Sequence, residues 1–345
     1  VVSKLSVLEK VGYGAGDAAA NLVWRGALAY LAVFYTDTFG ISASAAALLF
    51  LVVRLSDGVT DIMMGMIADR TQTRWGKFRP WIMWSTPFLG LFMILSFTTP
   101  NMGDTAKLVY AYITYIGLTL AYTVNNVPYS ALMGVMTGDD NERTSLSGFR
   151  FAGAFLGGLF VMGFLPVLVS YFGNGDEAQG YQYTMFMFAC LLMVLMFVTV
   201  ITTKERIVVA VKSEGSLRTD MKDLAKQLPF LLIPLGSISA FFYYRNWLTG
   251  LFFCAVMAVT AVLIKKVKQI EGKNLSRSQQ DIVDLLSNKP WLILLGIGFL
   301  TMMFNGIKYG VIAYYFKYYI GDELLTGQYF IALLLVSIAG AFCTA

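Results

Sequence analysis

The stretch LFLVVRLSDGVTDIMMGMIADRTQTRWGKFRPW, residues 49–81, decides the fold. Its first half belongs to an apolar run, 43–68, interrupted by Arg54, Asp57 and Asp61. A run of this length crosses the roughly 30 Å hydrocarbon layer as a helix. The i, i+3 and i+4 spacing then sets all three charges on one face. Charges inside a membrane helix are costly and mark a pathway or a bound ion. The second half is a short turn carrying Asp69, Arg70, Arg74, Lys77 and Arg79, after which Pro80 opens a new apolar run. Proline in a first helical turn sacrifices no hydrogen bond, and a basic turn between two spans marks the cytoplasmic side. The reading is a membrane helix with an ionisable face, a basic cytoplasmic turn and a second membrane helix.

The rest of the chain repeats this pattern. Of 345 residues, 57% are hydrophobic and 14% charged, against about 25% charged in a typical soluble domain, and the mean hydropathy is +0.65. Apolar runs recur near 16–38, 43–68, 80–98, 107–136, 147–171 and 183–203, then at 229–244, 247–264, 291–320 and 327–345. They do not alternate apolar and polar as barrel strands do, so the fold class is an all-α polytopic membrane protein. The division that follows is six spans in 1–203, a linker at 204–228, an inserted transmembrane hairpin at 229–264, a basic linker at 265–289 and two further helices in 290–345. Loops rich in Lys and Arg alternate with loops lacking them, which places the N-terminus in the cytoplasm of a cell whose inner membrane holds the chain. Asp220, Asp223, Leu224, Pro229, Phe230 and Leu231 are echoed by Asp281, Asp284, Leu285, Pro290, Trp291 and Leu292. Partial duplication of a hairpin and chance in a biased sequence both account for the echo.

Several functions are excluded early. The chain has no histidine, which removes Ser-His-Asp and Cys-His nucleophile systems and His-ligated zinc. Cys190, Cys254 and Cys343 lie far apart in apolar runs, without CxxC spacing, so neither a disulfide framework nor a thiolate metal site is expected. The net charge of +5 lies in loops, where topology explains it better than nucleic acid does. No enzyme and no prosthetic group are expected; membrane lipid is the surrounding partner, and the chain is read as a monomer. It begins without Met and ends at Ala345 in an apolar run, and is read as a piece of a longer protein.

The polar residues inside the spans are the candidate site. Asp57 and Asp61, one turn apart, repel by on the order of 2–3 kcal/mol when both are ionised at an effective dielectric near 20. A proton or a small cation between them relieves this, with Thr60 and Thr123 as additional oxygen ligands; the alternative for Asp57 is an ion pair with Arg54. Asp17, Asn21 and Arg25 form a polar stripe at i, i+4, i+8 on the first span. Asn21 and Asn126 offer the donors and acceptors a sugar needs, or interhelical hydrogen bonds. Trp24 and Tyr122 offer faces for a sugar ring, or packing. Arg150 offers a fork for a hydroxylated or anionic solute, or a helix-end arginine at the membrane surface. Lys308, near the middle of its span, is a counter-charge or a substrate contact. Asp69, Arg70, Arg74, Lys77 and Arg79 are assigned to topology and gating.

The quoted stretch 49–81, with YGAGDAAANLVW at 13–24, FYTDTFGIS at 34–42, AYTVNNVPYSAL at 121–132, ERTSLSGFR at 142–150 and YYFKYYIGD at 314–322, resembles the glycoside–pentoside–hexuronide:cation symporter family. This is the melibiose-permease branch of the major facilitator superfamily. The resemblance implies two six-helix halves and alternating access, so that the chain holds an N-terminal six-helix bundle plus an incomplete C-terminal bundle with the extra hairpin. It implies that Asp57 and Asp61 bind a coupling Na⁺ or H⁺, with Thr123 at a threonine ligand's position and Thr60 where melibiose permease has Asn. It implies a sugar contact for Arg150. Asn21 and Asn126 stand where that permease has acids, Ala20 where it has lysine, and Ser130 where it has tryptophan, so galactoside specificity does not transfer. The expected function is cation-coupled symport of a glycoside, pentoside or hexuronide. The alternatives are a proton-driven exporter of amphipathic compounds and a non-transporting sensor of the same fold.

Overall fold

The computed structural model describes residues 4–207, 251, 254–255, 288–322 and 324–343. Nearly all of the expected linkers and of the 229–264 hairpin lie outside the described residues. The chain divides into two compact units, Val1–Lys212 with Lys308–Ala345, and Ser213–Ile307. Among the described residues the structure is helical, with one isolated bridge between Thr73 and Gly76.

The helices follow the apolar runs. They are α1 (Val7–Gly26), α2 (Ala43–Arg70), α3 (Arg79–Ser96), α4 (Asp104–Met136), α5 (Asp140–Gly173), α6 (Glu177–Thr202), α7 (Lys289–Tyr314) and α8 (Leu324–Cys343). α1 continues through two π-helical turns, Ala27–Leu31 and Phe34–Thr38, and α7 through a third, Tyr315–Ile320. Such widened turns concentrate at functional sites. Among the described residues, three helices are long and apolar enough to cross a membrane by length and composition alone: Asp140–Gly173, Glu177–Thr202 and Lys289–Ile320. In the second unit the start of α7 presents Ile293, Leu294, Ile297 and Leu300 as exposed side chains, the surface that lipid covers in a membrane helix.

The helix starts are written locally. Ser6 accepts a hydrogen bond from the Glu9 amide, and the Glu9 carboxylate accepts one from the Ser6 amide, closing a capping box on α1. Asp139 and Asp176 accept from the first amides of α5 and α6.

Within the first unit, α1 lies against α5 and α6, α3 against α4 and α6, and α2 against α4. The α1–α5 contact depends on small residues. A methyl group on Gly153 would overlap the Gly14 carbonyl, and one on Gly157 would overlap the Ala18 carbonyl. Without a solvent-driven hydrophobic effect between membrane helices, such close backbone approach is what van der Waals packing requires. Polar groups are satisfied across the helices. Tyr30 donates to the Met162 carbonyl at 2.7 Å, Tyr129 to the Tyr13 carbonyl at 2.6 Å, and the buried Asn125 amide to Ser85, Thr86 and the Ile82 carbonyl.

Each end of the first unit is tied by ions. At the end bearing the basic turn, Arg206 pairs with Glu9 at 2.7 Å and Lys10 with Glu142 at 2.9 Å. At the other end, Lys317 of α7 pairs with Asp37 at 3.1 Å and lies 3.7 Å from Glu177, while Tyr318 donates to Asp37.

Glu9 lies before the apolar run 16–38. Burial alone would raise its carboxyl, but the Ser6 amide, the Arg206 guanidinium and the Ser6 hydroxyl outweigh it and hold it below its ordinary value. A depressed carboxylate stabilises the fold above its unfolded value, and that contribution disappears as pH falls through the folded one. Glu9→Gln is therefore expected to cost about 1–2 kcal/mol at neutral pH. The difference from the wild type should vanish under acid, as read by thermal unfolding of the purified protein across pH.

Candidate functional site

The polar residues of the membrane helices meet on α1, α2, α4 and α5. α2 presents Arg54, Asp57 and Asp61 on one face. The Arg54 guanidinium lies 3.2 Å from the Asp57 carboxylate, so the local ion pair that the spacing allows is formed. Asp61, which has no such neighbour one turn away, is reached from α4: the Thr123 hydroxyl donates to Asp61 Oδ1 at 2.8 Å. The Thr60 hydroxyl donates to the Asp57 carbonyl at 3.1 Å. Asp57, Thr60 and Asp61 thus lie along one turn of α2, with the Thr123 hydroxyl of α4 on Asp61.

The aromatic pair is assembled on the same ring of contacts. Trp24 of α1 stacks on Tyr122 of α4, with centroids 5.5 Å apart and planes inclined by 24°. The Arg54 guanidinium lies 4.3 Å above the Trp24 ring, a cation–π distance. Arg54 therefore joins the carboxylates to the aromatic platform, and the consecutive residues Tyr122 and Thr123 join them again from the α4 side.

Further along the same faces, Arg150 of α5 lies 3.5 Å from Asp17 of α1, 3.4 Å from the Ser130 hydroxyl and 5.6 Å from the Tyr129 ring centre. Asn21 donates to the Asp17 carbonyl at 2.8 Å and accepts from Arg25 Nε at 3.0 Å. Arg25 Nη1 is buried without a hydrogen-bond partner among the described residues. Asn126 is half-buried one turn below Tyr122, and its side chain makes no hydrogen bond to a described residue. Lys308 lies 5.3 Å from the Tyr309 ring centre.

The structure thus brings Asp57, Asp61, Thr123, Trp24 and Tyr122 into one connected set, with Asn21, Asn126 and Arg150 a turn or more away. Sequence reasoning placed Asp17 in the α1 stripe without assigning it a role. Its pairing with Arg150 needs the α1–α5 crossing, although the 17, 21, 25 spacing already marked the face. The stacking of Arg54 on Trp24 left no local signal at all.

The basic turn is a separate assembly. Asp69 pairs with Lys77 at 2.8 Å, and Arg79 donates to the Val200 carbonyl at 2.6 Å. Arg70 is half-buried and Arg74 exposed. Glu205, which the motif reading missed because it follows α6, accepts from the amides of Lys77, Phe78 and Arg79 at 2.7, 2.8 and 3.0 Å. It supplies the acceptor that the unpaired amides at the start of α3 require.

The family model for MFS/sugar transport proteins matches residues 12–245 and 229–345. The chain belongs to this family. Membership bears out the resemblance of the quoted motifs to the glycoside–pentoside–hexuronide:cation symporters, and makes the chain an all-α membrane protein of a transporter family. The two matches overlap over 229–245, within the stretch expected as an inserted hairpin.

Among its relatives, the putative glycoside/cation symporter YagG of Escherichia coli (strain K12) is 44% identical over 64% of this chain and 48% of that protein. The isoprimeverose transporter of Lactiplantibacillus pentosus is 36% identical over 65% of this chain and 48% of that protein. The glucuronide carrier protein homolog of E. coli (strain K12) is 31% identical over 73% of this chain and 58% of that protein. The chain spans about half the length of the curated relatives it matches.

Proposed function

We propose that this chain serves cation-coupled symport of a sugar across the cytoplasmic membrane, with its N-terminus in the cytoplasm. The coupling ion, Na⁺ or H⁺, binds at Asp57 and Asp61, with Thr123 as a further oxygen ligand and Thr60 beside it. The sugar binds against Trp24 and Tyr122, with Asn21, Asn126 and Arg150 as polar contacts. No prosthetic group takes part. The observation that carries this reading is the contact ring from Asp61 through Thr123, Tyr122, Trp24 and Arg54 to Asp57. It sets an ion-binding chemistry and a sugar-binding chemistry within one side chain of each other. The relatives named for a glycoside, isoprimeverose and a glucuronide support a glycoside, pentoside or hexuronide as the sugar.

A bound cation offsets the mutual repulsion of the two carboxylates, and a sugar shelters the site from water. If each ligand raises the other's affinity, the shared free energy couples the two gradients, with factors of roughly 5–150 being typical. The basic turn, held by Asp69, Lys77, Arg79 and Glu205, keeps the cytoplasmic ends of α2, α3 and α6 together while the halves of the carrier move.

The test is uptake of a labelled panel of xylosides, glucuronides and galactosides by vesicles carrying the protein, with and without a Na⁺ gradient and at several pH values. Accumulation of one sugar driven by Na⁺ or by H⁺ is expected. Accumulation of none under any gradient overturns the reading.

A further inference from the structure

We propose that Arg25 and Lys308 form an oxyanion-binding corner of the sugar site, and that the sugar this carrier takes is an acidic one, bearing a carboxylate. This inference rests on the placement of the sugar proposed above and names its chemical class.

Arg25 stands one turn beyond Asn21 on the polar stripe of α1 and next in the chain to Trp24. Its Nε donates to Asn21 Oδ1 at 3.0 Å, while Nη1 is buried with no hydrogen-bond partner among the described residues. A charged donor shut away from water without an acceptor is costly, and more so within a membrane span. The free end of the guanidinium is the fork that a carboxylate fits with two parallel hydrogen bonds.

The surroundings of this guanidinium suit an anion. The Tyr309 ring centre of α7 lies 5.9 Å from Arg25 Cζ and 5.3 Å from Lys308 Nζ. Two cations thus converge on one aromatic ring, each near the outer limit of a cation–π contact. An oxyanion seated between them offsets their repulsion and gives Nη1 its acceptor. α5 makes the room: a methyl group on Gly158 would lie 2.6 and 2.7 Å from Arg25 Cδ and Nε.

Charge balance points the same way. Between the ionic ends of the first unit, the described spans carry Arg25, Arg54, Arg150 and Lys308 against Asp17, Asp57 and Asp61. Arg54 pairs with Asp57 and Arg150 with Asp17, so basic charge exceeds acidic charge by one. A cation bound at Asp57 and Asp61 widens the excess, which is costly where water is scarce. An acidic sugar entering with the cation restores it; a neutral sugar does not.

The experiment is equilibrium binding to the purified full chain in lipid nanodiscs, in NaCl at neutral and mildly acidic pH. The probes are matched nitrophenyl pairs, glucoside with glucuronide and galactoside with galacturonide, as both anomers. Within a pair the two differ only by a carboxylate in place of a hydroxymethyl group.

The acidic member of at least one pair should bind about tenfold or more tightly than its neutral partner, as expected of a hydrogen bond to a charged group. In Arg25→Gln the acidic probe should lose that advantage while the neutral probe keeps its affinity. Arg25→Lys and Lys308→Gln should each retain part of it. Gly158→Ala leaves every charge in place but pushes the guanidinium aside, so it should weaken the acidic probe alone.

Neutral members binding as tightly as acidic ones throughout overturns the acidic class. An undiminished preference in Arg25→Gln and Gly158→Ala, or equal loss of both probes in a variant with an unchanged melting profile, overturns the anion contact. Binding of no probe to the wild type overturns the sugar-site reading itself, and the acidic class with it.

Discussion

Gly153→Ala is expected to cost more than about 4 kcal/mol, the range reserved for severe steric or cavity defects, even though alanine is the better helix former. The added methyl would occupy the position of the Gly14 carbonyl. A backbone oxygen cannot rotate away as a side chain does, so α1 and α5 must separate. That separation undoes the Tyr30–Met162 hydrogen bond and carries Asp17 away from Arg150. The control lies on the same helix. At Gly148 an added methyl meets nothing within 4 Å, so Gly148→Ala should gain up to about 1 kcal/mol, as for an exposed helical glycine. Thermal unfolding of the two purified variants, compared with the wild type, checks the pair; equal melting of both would refute the close crossing of α1 on α5.

Asp61→Asn is expected to lower cation affinity at least about 100-fold, equivalent to about 2.7 kcal/mol, while leaving the melting temperature nearly unchanged. Asparagine keeps an oxygen for the Thr123 hydroxyl, which now donates to Asp61 at 2.8 Å, but it supplies no charge for the ion. Asp57→Asn should lose cation affinity by a similar factor. It also strands Arg54, yet this pair is partly exposed, with side chains 39% and 20% accessible, so the stability loss stays within about 1 kcal/mol. The measurement is a Na⁺ and proton titration by calorimetry on both variants. Retained affinity in Asp61→Asn would remove this carboxylate from the ion site.

The candidate site was only partly legible before the structure. The polar stripe Asp17, Asn21 and Arg25 and the trio Arg54, Asp57 and Asp61 both follow from helical periodicity, a local property. The pairing of Asp57 with Arg54 lies within one turn and was one of two readings the spacing left open. Arg150 was read as a fork awaiting a solute or a surface arginine; the structure engages it with Asp17 and Ser130, partners far away along the chain. Trp24 and Tyr122 were read as sugar platforms or packing; they stack on each other, and Arg54 lies over the Trp24 ring.

By itself, the sequence determined that this is a helical membrane protein, which apolar stretches its described helices contain, and which faces of α1 and α2 are polar. Lipid leaves the backbone no partner but itself, so a long apolar run must become a helix, and its length and periodicity are read from neighbouring residues alone. Only the tertiary structure decided which polar groups meet: Thr123 with Asp61, Arg150 with Asp17, Arg54 with Trp24, and Glu205 with the amides of residues 77–79. Those meetings depend on the rotation and height of each helix against the next. Backbone contacts such as Gly153 on Gly14 set them, and no pattern within one segment specifies how closely two distant segments approach.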